Sequence, residues 1–321
     1  MKKKFFMSFF ISLIIFGGMY LSVWNKFVTA KSSLQLFDDK NNKGEIENIV
    51  EGNKIERVDL DEILFLLVGV DTTDTESFSK TEEKNGFTGY RTDTMMLCKV
   101  NFVDGSINIM SLPRDSRVKI NGRNDKLNAA HSYGGMKLLL KTVREFTNLD
   151  VDYYVRVDYN AVKSLVDAIG GVEVDVPKNM IYNDTTRGKE LHINIKKGIQ
   201  TLDGQTSIEF LRYRQYPEGD IGRVHAQQYF MTEMIKQTLT PKNIFKLPQL
   251  LDVYLNNIDT NIDASVVYQG LTMAGNLDSE KLLTHTIAGV GQYIGDVSYF
   301  VVDEAGTKEI IEEVFGNYLL D

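Results

Sequence analysis

Three arginines lie close together in one short stretch of an otherwise acidic chain. The stretch FLRYRQYPEGDIGRVHAQQ, residues 210–228, carries Arg212, Arg214 and Arg223, whereas the formal net charge of the whole chain is -8. Guanidinium groups donate planar, bidentate hydrogen bonds to phosphate oxygens and keep their charge at any physiological pH. The stretch therefore predicts a local anion-binding site in a protein whose overall charge argues against general nucleic-acid binding.

The spacing of these residues indicates how they would converge. If Arg212 and Arg214 lie on an extended segment, their side chains point to one face and that of Tyr213 to the other. Arg223 and Gln227 are four positions apart in a helical pattern, so they share one helix face. A turn between the two segments would bring both faces together. The alternative is a surface patch of salt bridges, in which nearby carboxylates balance the arginines and contribute little.

More charged residues follow the predicted strands. Asp71 ends the apolar run EILFLLVGVD, Arg91 and Asp93 precede the strand-like TMMLCKV, and Arg114 and Asp115 follow SINIMSL. Open α/β sheets place their ligands where strands end. Mg²⁺ prefers one or two carboxylates together with phosphate oxygens, so Asp71 and Asp93 are the candidate metal ligands.

The sequence lacks the motifs of several other kinds of functional site. The chain has no Gly-x-x-x-x-Gly-Lys-Ser/Thr loop, no Gly-x-Ser-x-Gly elbow and no His-Glu-x-x-His pair. Its 4 histidines are widely spread, which argues against zinc. The single cysteine, Cys98, sits in TMMLCKV, where a buried apolar role is expected.

The amino terminus predicts a membrane anchor. Residues 1–4 contain three lysines and would stay in the cytoplasm, and the uncharged residues 5–24 are long enough to cross a bilayer. Residues 25–60 are polar and predict an extracellular stalk, which leaves 61–321 as the extracellular folded domain. A cleaved signal peptide ending near Val28-Thr29-Ala30 is the alternative.

The order of apolar runs predicts an α/β fold, a mixed central β-sheet with helices on both faces. Strands such as DYYVRVD alternate with amphipathic patterns such as GMKLLLKTVREFTN and YNAVKSLVDAIGG, and Asp104-Gly105 marks a hairpin. The segment that ends in FLRYR fits either a helix or a strand.

Nine sequence blocks, in order, resemble the LytR-CpsA-Psr family of cell-envelope proteins. Together they cover almost the whole predicted extracellular part: LLVGVD, RTDTMML, SLPRDS, KLNAAHSYGG, YYVRVDY, LVDAIGGVEVDVP, LDGQTSIEFLRYR, GDIGRVHAQQ and YIGDVSYFVVDE. The resemblance implies a membrane-bound phosphotransferase that moves an anionic glycopolymer, such as wall teichoic acid or capsular polysaccharide, from undecaprenyl pyrophosphate to a peptidoglycan sugar hydroxyl.

The resemblance also implies roles for individual residues. Asp71 and Asp93 match positions associated with Mg²⁺, for which Mn²⁺ could substitute, and with catalysis, as does Arg114. A basic and polar set matches the positions around the pyrophosphate: Arg91, Arg114, Arg212, Arg214, Arg223 and Gln227. Lys126 lies in a matching block and is a possible phosphate contact. Either Asp71 or Asp93 is the candidate general base for the attacking hydroxyl.

Two other functions stay open at this point. With water in place of the sugar hydroxyl, the same site would act as a polyprenyl-pyrophosphate phosphatase. Without turnover, the protein would be a binding module that regulates the envelope or attenuates transcription, a role for which some members of the family have been named.

Overall fold

The computed structural model describes residues 60–70, 92–184, 191–217, 220–240 and 257–320, together with residues 243, 246, 249–250 and 253–254. The predicted cytoplasmic tail, the anchor and almost all of the stalk lie outside the described residues, and so do Asp71 and Arg91. No helix within the described ranges has the length and apolarity needed to cross a bilayer.

A six-stranded mixed sheet forms the centre of the fold. Its strands are β1 (Glu62–Val70), β2 (Thr92–Asn101), β3 (Ile107–Ser111), β6 (Tyr153–Val157), β11 (Asp259–Thr260) and β12 (Leu282–Thr286). They lie in the order β11-β6-β1-β2-β3-β12. β1 pairs antiparallel with β2 and parallel with β6, while β3 pairs antiparallel with β2 and parallel with β12.

Alternation along β1 explains why both faces of this sheet are covered. Leu64, Leu66 and Val68 enter one hydrophobic core, whereas Ile63 and Leu67 enter the other. Successive side chains of a strand point to opposite faces, so an almost continuous apolar run requires packing on both sides.

Six helices within the described ranges supply that packing. α1 (Leu127–Thr147) and α6 (Glu304–Phe315) cover the face of Leu66, and the other face is covered by α2 (Tyr159–Ile169), α3 (Gly204–Arg212), α4 (Asp220–Thr238) and α5 (Ala264–Met273). Short 3-10 helices span Ala274–Asn276, Ser279–Lys281 and Gly316–Tyr318. The predicted α/β class, with a mixed sheet between helices, is confirmed.

The remaining strands form two-stranded sheets outside the centre. They are β4 (Arg117–Ile120) with β5 (Arg123–Lys126), β7 (Val172–Val176) with β10 (Gly198–Leu202), β8 (Met180–Asp184) with β9 (Leu191–Ile195), and β13 (Gly289–Ile294) with β14 (Val297–Val302). The predicted hairpin at Asp104-Gly105 joins β2 to β3, and Gly105 adopts the φ of +78° that favours glycine at such a turn.

The strand directions create one polar edge, called here the site edge. Val70 at the end of β1 lies opposite Thr92 at the start of β2, and Ser111 at the end of β3 lies opposite Met96. Because β6 runs parallel to β1 and β12 runs parallel to β3, their carboxyl ends reach the same edge. Loops that leave these strands therefore meet there.

Candidate functional site

A β-bulge places Asp93 at the site edge. Gly69 pairs with Thr94 and Val70 pairs with Thr92, so Asp93 is the extra residue between them. Bulges of this kind re-aim a side chain and are frequent beside active sites. The Asp93 side chain is 13% exposed.

Arg114 reaches Asp93 from the loop that follows β3. Its Nη1 donates a hydrogen bond to Asp93 Oδ1. The loop is held by backbone hydrogen bonds from Ser116 N to Pro113 O at 3.0 Å and from Asn128 N to Arg114 O at 3.0 Å. The first turn of α1 therefore fixes the backbone from which this arginine extends.

Arg223 approaches the same carboxylate from α4. Its side chain is 3% exposed, and its Nη2 lies 3.7 Å from Asp93 Oδ1. This contact with Asp93 contradicts, for Arg223, the alternative of a surface salt-bridge patch. His225, two positions further along the helix, is exposed, as helical periodicity requires.

Gln227 lies one helical turn after Arg223 and is also buried. Its Oε1 accepts a hydrogen bond from Thr94 Oγ1 at 3.0 Å, and its Nε2 donates to Leu211 O at 3.2 Å. The side chain thus ties α4 both to the start of β2 and to the end of α3. The predicted shared face of Arg223 and Gln227 is confirmed.

The two arginines before the turn, Arg212 and Arg214, do not share one extended segment. α3 begins at an N-cap, where the Asp203 side chain accepts a hydrogen bond from Thr206 N, and it continues through Arg212. The sequence left a helix and a strand open for this segment, and Arg212 lies in a helix because apolar residues at helical spacing, including Ile208 and Leu211, pack α3 into the core. Arg214 follows the helix and is exposed.

Arg212 contacts an aromatic ring at the site edge. Its guanidinium carbon lies 5.7 Å from the centroid of the Tyr159 ring, within the range of a cation–π contact. Tyr159 is the first residue of α2, directly after Asp158, whose side chain caps the helix by accepting a hydrogen bond from Ala161 N at 2.7 Å. The Asp158 carboxylate therefore serves as the N-cap of α2.

A further ion pair continues the line of charges beyond Arg114. Lys126 Nζ lies 2.9 Å from Asp115 Oδ1, and Arg114 Nε lies 3.8 Å from Asp115 Oδ2. Lys126, considered above as a phosphate contact, is paired here with a carboxylate. The ionic chain along the edge is Lys126–Asp115–Arg114–Asp93–Arg223.

A small, mostly apolar cavity of about 40 Å³ opens beside Asp93. Its polar lining includes Asp93, Thr94 and Gln227, while β1, β6, α2, α3 and α4 supply the apolar side. The apolar lining residues are Leu67, Val70, Val157, Val162, Leu211 and Met231. An apolar group attached to an anion bound near Asp93 would enter from this side.

The structure thus brings Asp93, Arg114, Arg223 and Gln227 together, with Arg212 beside the cavity through Tyr159. Sequence reasoning missed Thr94, which follows Asp93, and Tyr159, which directly follows the predicted strand DYYVRVD. Their positions at the ends of strands were the available signal.

The chain is similar to known proteins in both sequence and fold. The model of the LytR_cpsA_psr family matches residues 25–315. Polyisoprenyl-teichoic acid–peptidoglycan teichoic acid transferase TagU of Oceanobacillus iheyensis is 30% identical over 317 residues, which is 95% of this chain and 90% of that protein. Regulatory protein MsrR of Staphylococcus aureus is 32% identical over 182 residues, or 56% of this chain and 54% of that protein.

Among solved structures, the crystal structure of TagV from Bacillus subtilis superimposes with a TM-score of 0.64 at 25% identity, covering 80% of this chain and 97% of that one. The family match spans nearly all of the sequence and includes every residue of the ionic chain at the site edge. The protein therefore belongs to the LytR_cpsA_psr family.

Proposed function

We propose that this protein is a phosphotransferase that moves an anionic glycopolymer from undecaprenyl pyrophosphate to a sugar hydroxyl of peptidoglycan. The observation that carries the proposal is the convergence of Arg114 and Arg223 on Asp93, beside an apolar-lined cavity. The name of the similar TagU protein, a polyisoprenyl-teichoic acid–peptidoglycan transferase, supports the same reaction class.

The arginines fit the electrostatics of this reaction. When the acceptor oxygen bonds to the phosphorus that carries the glycopolymer, the bridging P–O bond breaks and undecaprenyl phosphate leaves. Negative charge increases on the leaving phosphate, and preorganised cations in a partly buried site stabilise it. Arg114 and Arg223 would hold the diphosphate, with Arg212 and Arg214 from the α3 end and Arg91 completing the set.

The donor set also fits a divalent cation. In the described residues, no three His, Cys, Asp or Glu side chains cluster as they would around an all-protein metal site. Mg²⁺ and similar ions need only one or two carboxylates when phosphate oxygens complete the shell. Asp93, together with Asp71, would hold the ion, which would neutralise charge on the diphosphate.

Removal of the acceptor proton requires a base near the diphosphate. We assign this task to Asp93 or Asp71, either of which would take the proton of the sugar hydroxyl as its oxygen attacks. The apolar cavity would receive the first part of the polyprenyl chain. At about 40 Å³ it holds little more than a water molecule, so α2 and α4 would have to move apart.

The proposal places the working domain, residues 61–321, outside the cell membrane. Residues 5–24 would be the single membrane-spanning anchor and 25–60 the stalk. Both the lipid-linked donor and the peptidoglycan acceptor would then be within reach of the site.

Product analysis tests this function. The full chain, reconstituted in detergent micelles, is mixed with a lipid-linked glycopolymer donor and a divalent cation, with and without peptidoglycan fragments. We expect a phosphodiester-linked product only when the acceptor is present. Release of free glycopolymer phosphate at the same rate in both mixtures would instead identify a phosphatase.

A regulatory module is the second candidate, favoured by the likeness to MsrR, which is named a regulatory protein. It predicts that the donor binds without any turnover. Absence of both products, with donor binding intact, would support that role and contradict the transferase.

A further inference from the structure

A ribbon of strands extends the site edge away from the cavity. Phe300 N in β14 donates a hydrogen bond to Asp115 O at 2.9 Å, and Ser116 forms a parallel bridge with Phe300. The β13–β14 hairpin is thereby attached to β4, directly after Arg114. We call β13, β14 and β4 together the ribbon.

The two faces of the ribbon differ. Ser116 is fully buried and Phe300 packs against the core, so this pair faces inward. Their neighbours along each strand point to the opposite side, because side chains alternate. That side, the outer face, carries Arg117 and Lys119 from β4, Tyr299 and Val301 from β14, and Val290 and Gln292 from β13.

The outer face combines cationic, aromatic and amide side chains. Arg117, Lys119 and Gln292 are exposed, and Val290 is 65% exposed. The guanidinium carbon of Arg117 lies 5.9 Å from the centroid of the Tyr299 ring. The ring therefore holds one face of the guanidinium, while its N–H donors remain available at the edge.

Two of the six side chains of the outer face are cationic, and the cleft that Arg117 and Lys119 line also has Glu145, Glu304 and Glu312 in its wall. Neither Arg117 nor Lys119 has an ion-pair partner among the residues that the structure describes. Asp115, at the start of the face, is already paired with Lys126 at 2.9 Å. The outer face thus keeps two available cations in a protein of formal net charge -8, which favours an anionic partner.

The position of the ribbon indicates which partner this is. The apolar cavity and the ribbon lie on opposite sides of the Asp93–Arg114 pair, since the apolar cavity residues other than Val70 belong to the core of α2–α4 and the inner ribbon residues belong to the core of α1 and α6. The donor has a matching arrangement, with a lipid on one side of its diphosphate and a charged polymer on the other. The lipid would face the cavity and the polymer would face the ribbon.

We propose that the outer face of the ribbon binds the phosphate-bearing repeat units of the glycopolymer next to the diphosphate. Arg117 and Lys119 bind repeat-unit phosphates, Gln292 bonds to hydroxyl groups, and Tyr299 and Val290 contact the apolar faces of the units. This inference rests on the proposed function, because it takes the donor to be a polymer linked through a diphosphate.

Calorimetric titration of the full chain in detergent micelles tests the inference without requiring turnover. The probe is a lipid-free poly(glycerol phosphate) oligomer, and an oligomer of N-acetylglucosamine serves as the neutral glycan. The test variant is Arg117→Ala with Lys119→Ala. The matched control is Lys196→Ala with Lys197→Ala, which removes the same charge at the exposed turn between β9 and β10.

We expect the Arg117/Lys119 variant to bind the phosphate oligomer about tenfold more weakly than the wild type, and the control to change less than about twofold. Binding should weaken as salt rises, with a smaller salt dependence in the test variant. Equal affinity in the wild type and the test variant would overturn the inference, and so would binding of the neutral oligomer alone.

A separate probe distinguishes this inference from the proposed function. Geranylgeranyl pyrophosphate has the diphosphate and the lipid but no polymer, so its affinity should be unchanged in the Arg117/Lys119 variant. Loss of geranylgeranyl pyrophosphate binding in that variant would contradict a polymer-specific face. If the wild type binds the phosphate oligomer but not this lipid, the diphosphate site fails while the ribbon assignment stands.

Discussion

The guanidinium of Arg223, on α4, lies 3.7 Å from Asp93 Oδ1, the carboxylate oxygen that Arg114 also contacts. Two cations from distant parts of the chain thus share one anionic oxygen at the edge of the sheet. Arg223 is 3% exposed, and a buried charge is costly unless it is paired. A ligand phosphate placed here would find both arginines already positioned.

Replacing Asp93 with Asn tests its role. The variant keeps the shape but removes the charge that balances the arginines, so we expect the free energy of unfolding to fall by about 1–3 kcal/mol. Transfer should slow by about a hundredfold or more, since the proposed ligand to the cation, or base, is lost. Urea denaturation and product formation measure the two effects.

Asp175→Asn, at an exposed position on β7, is the control for loss of one carboxylate. This variant should have a free energy of unfolding and a transfer rate close to those of the wild type. A wild-type transfer rate in Asp93→Asn would remove Asp93 from the mechanism.

The hydrogen bond from Thr94 to Gln227 predicts energetic coupling between β2 and α4. A double-mutant cycle with Thr94→Val and Gln227→Met removes each partner while approximately keeping its volume. We expect a coupling free energy of about 1 kcal/mol, because the half-buried Thr94 hydroxyl and the buried Gln227 amide satisfy each other. Urea denaturation of the wild type, the two single variants and the double variant measures this coupling free energy. If the losses of unfolding free energy in the single variants simply add in the double variant, the 3.0 Å contact contributes nothing to stability.

The guanidinium of Arg212 is held by its contact with the Tyr159 ring. We therefore expect lysine at position 212 to bind a diphosphate more weakly than arginine does. Arg212→Lys keeps the charge but loses the planar fork, so the affinity for geranylgeranyl pyrophosphate should fall about three- to tenfold. Arg144→Lys is the control, since Arg144 pairs with Asp150 at 2.6 Å at the end of α1. Equal affinities in the two variants would mean that Arg212 does not contact the ligand.

Cys98 predicts a pH dependence of stability. Burial raises the pKa of its thiol from 9.0 to about 12, so the folded state holds this proton more tightly than the unfolded state does. The resulting stabilisation is fully present below pH 9 and is lost as the pH rises from about 9 to 12. The free energy of unfolding should fall in that range by more in the wild type than in Cys98→Ala, and identical pH profiles would contradict the burial effect.

Local patterns in the sequence predicted much of the fold. The apolar runs gave β1, β2, β3 and β6, because each strand has to fill a core on both faces of the sheet. The amphipathic pattern YNAVKSLVDAIGG correctly predicted α2, which ends before Gly170 and Gly171, whose φ values are +90° and +99°. VEVDV forms β7, and its pairing with β10 depends on residues distant in the sequence.

The sequence predicted which residues form the site better than it predicted how they are arranged. The positions of Asp93 and Arg114 at the ends of strands indicated a common edge, which the structure confirms. The choice between helix and strand at Arg212 was left open, because FLRYR fits both periods and tertiary packing decides between them. The position of Tyr159 after a predicted strand was a local signal for the site, but its pairing with Arg212 depends on a contact between two helices that are separate in the sequence.

The most direct test of the central claim is the binding of geranylgeranyl pyrophosphate to the full chain with Arg114→Gln, Arg223→Gln and both changes together, measured by calorimetry. If both guanidinium groups hold one diphosphate beside Asp93, each single change should weaken binding about tenfold or more, and Arg144→Gln should not weaken it. Wild-type affinity in the double variant would contradict the account.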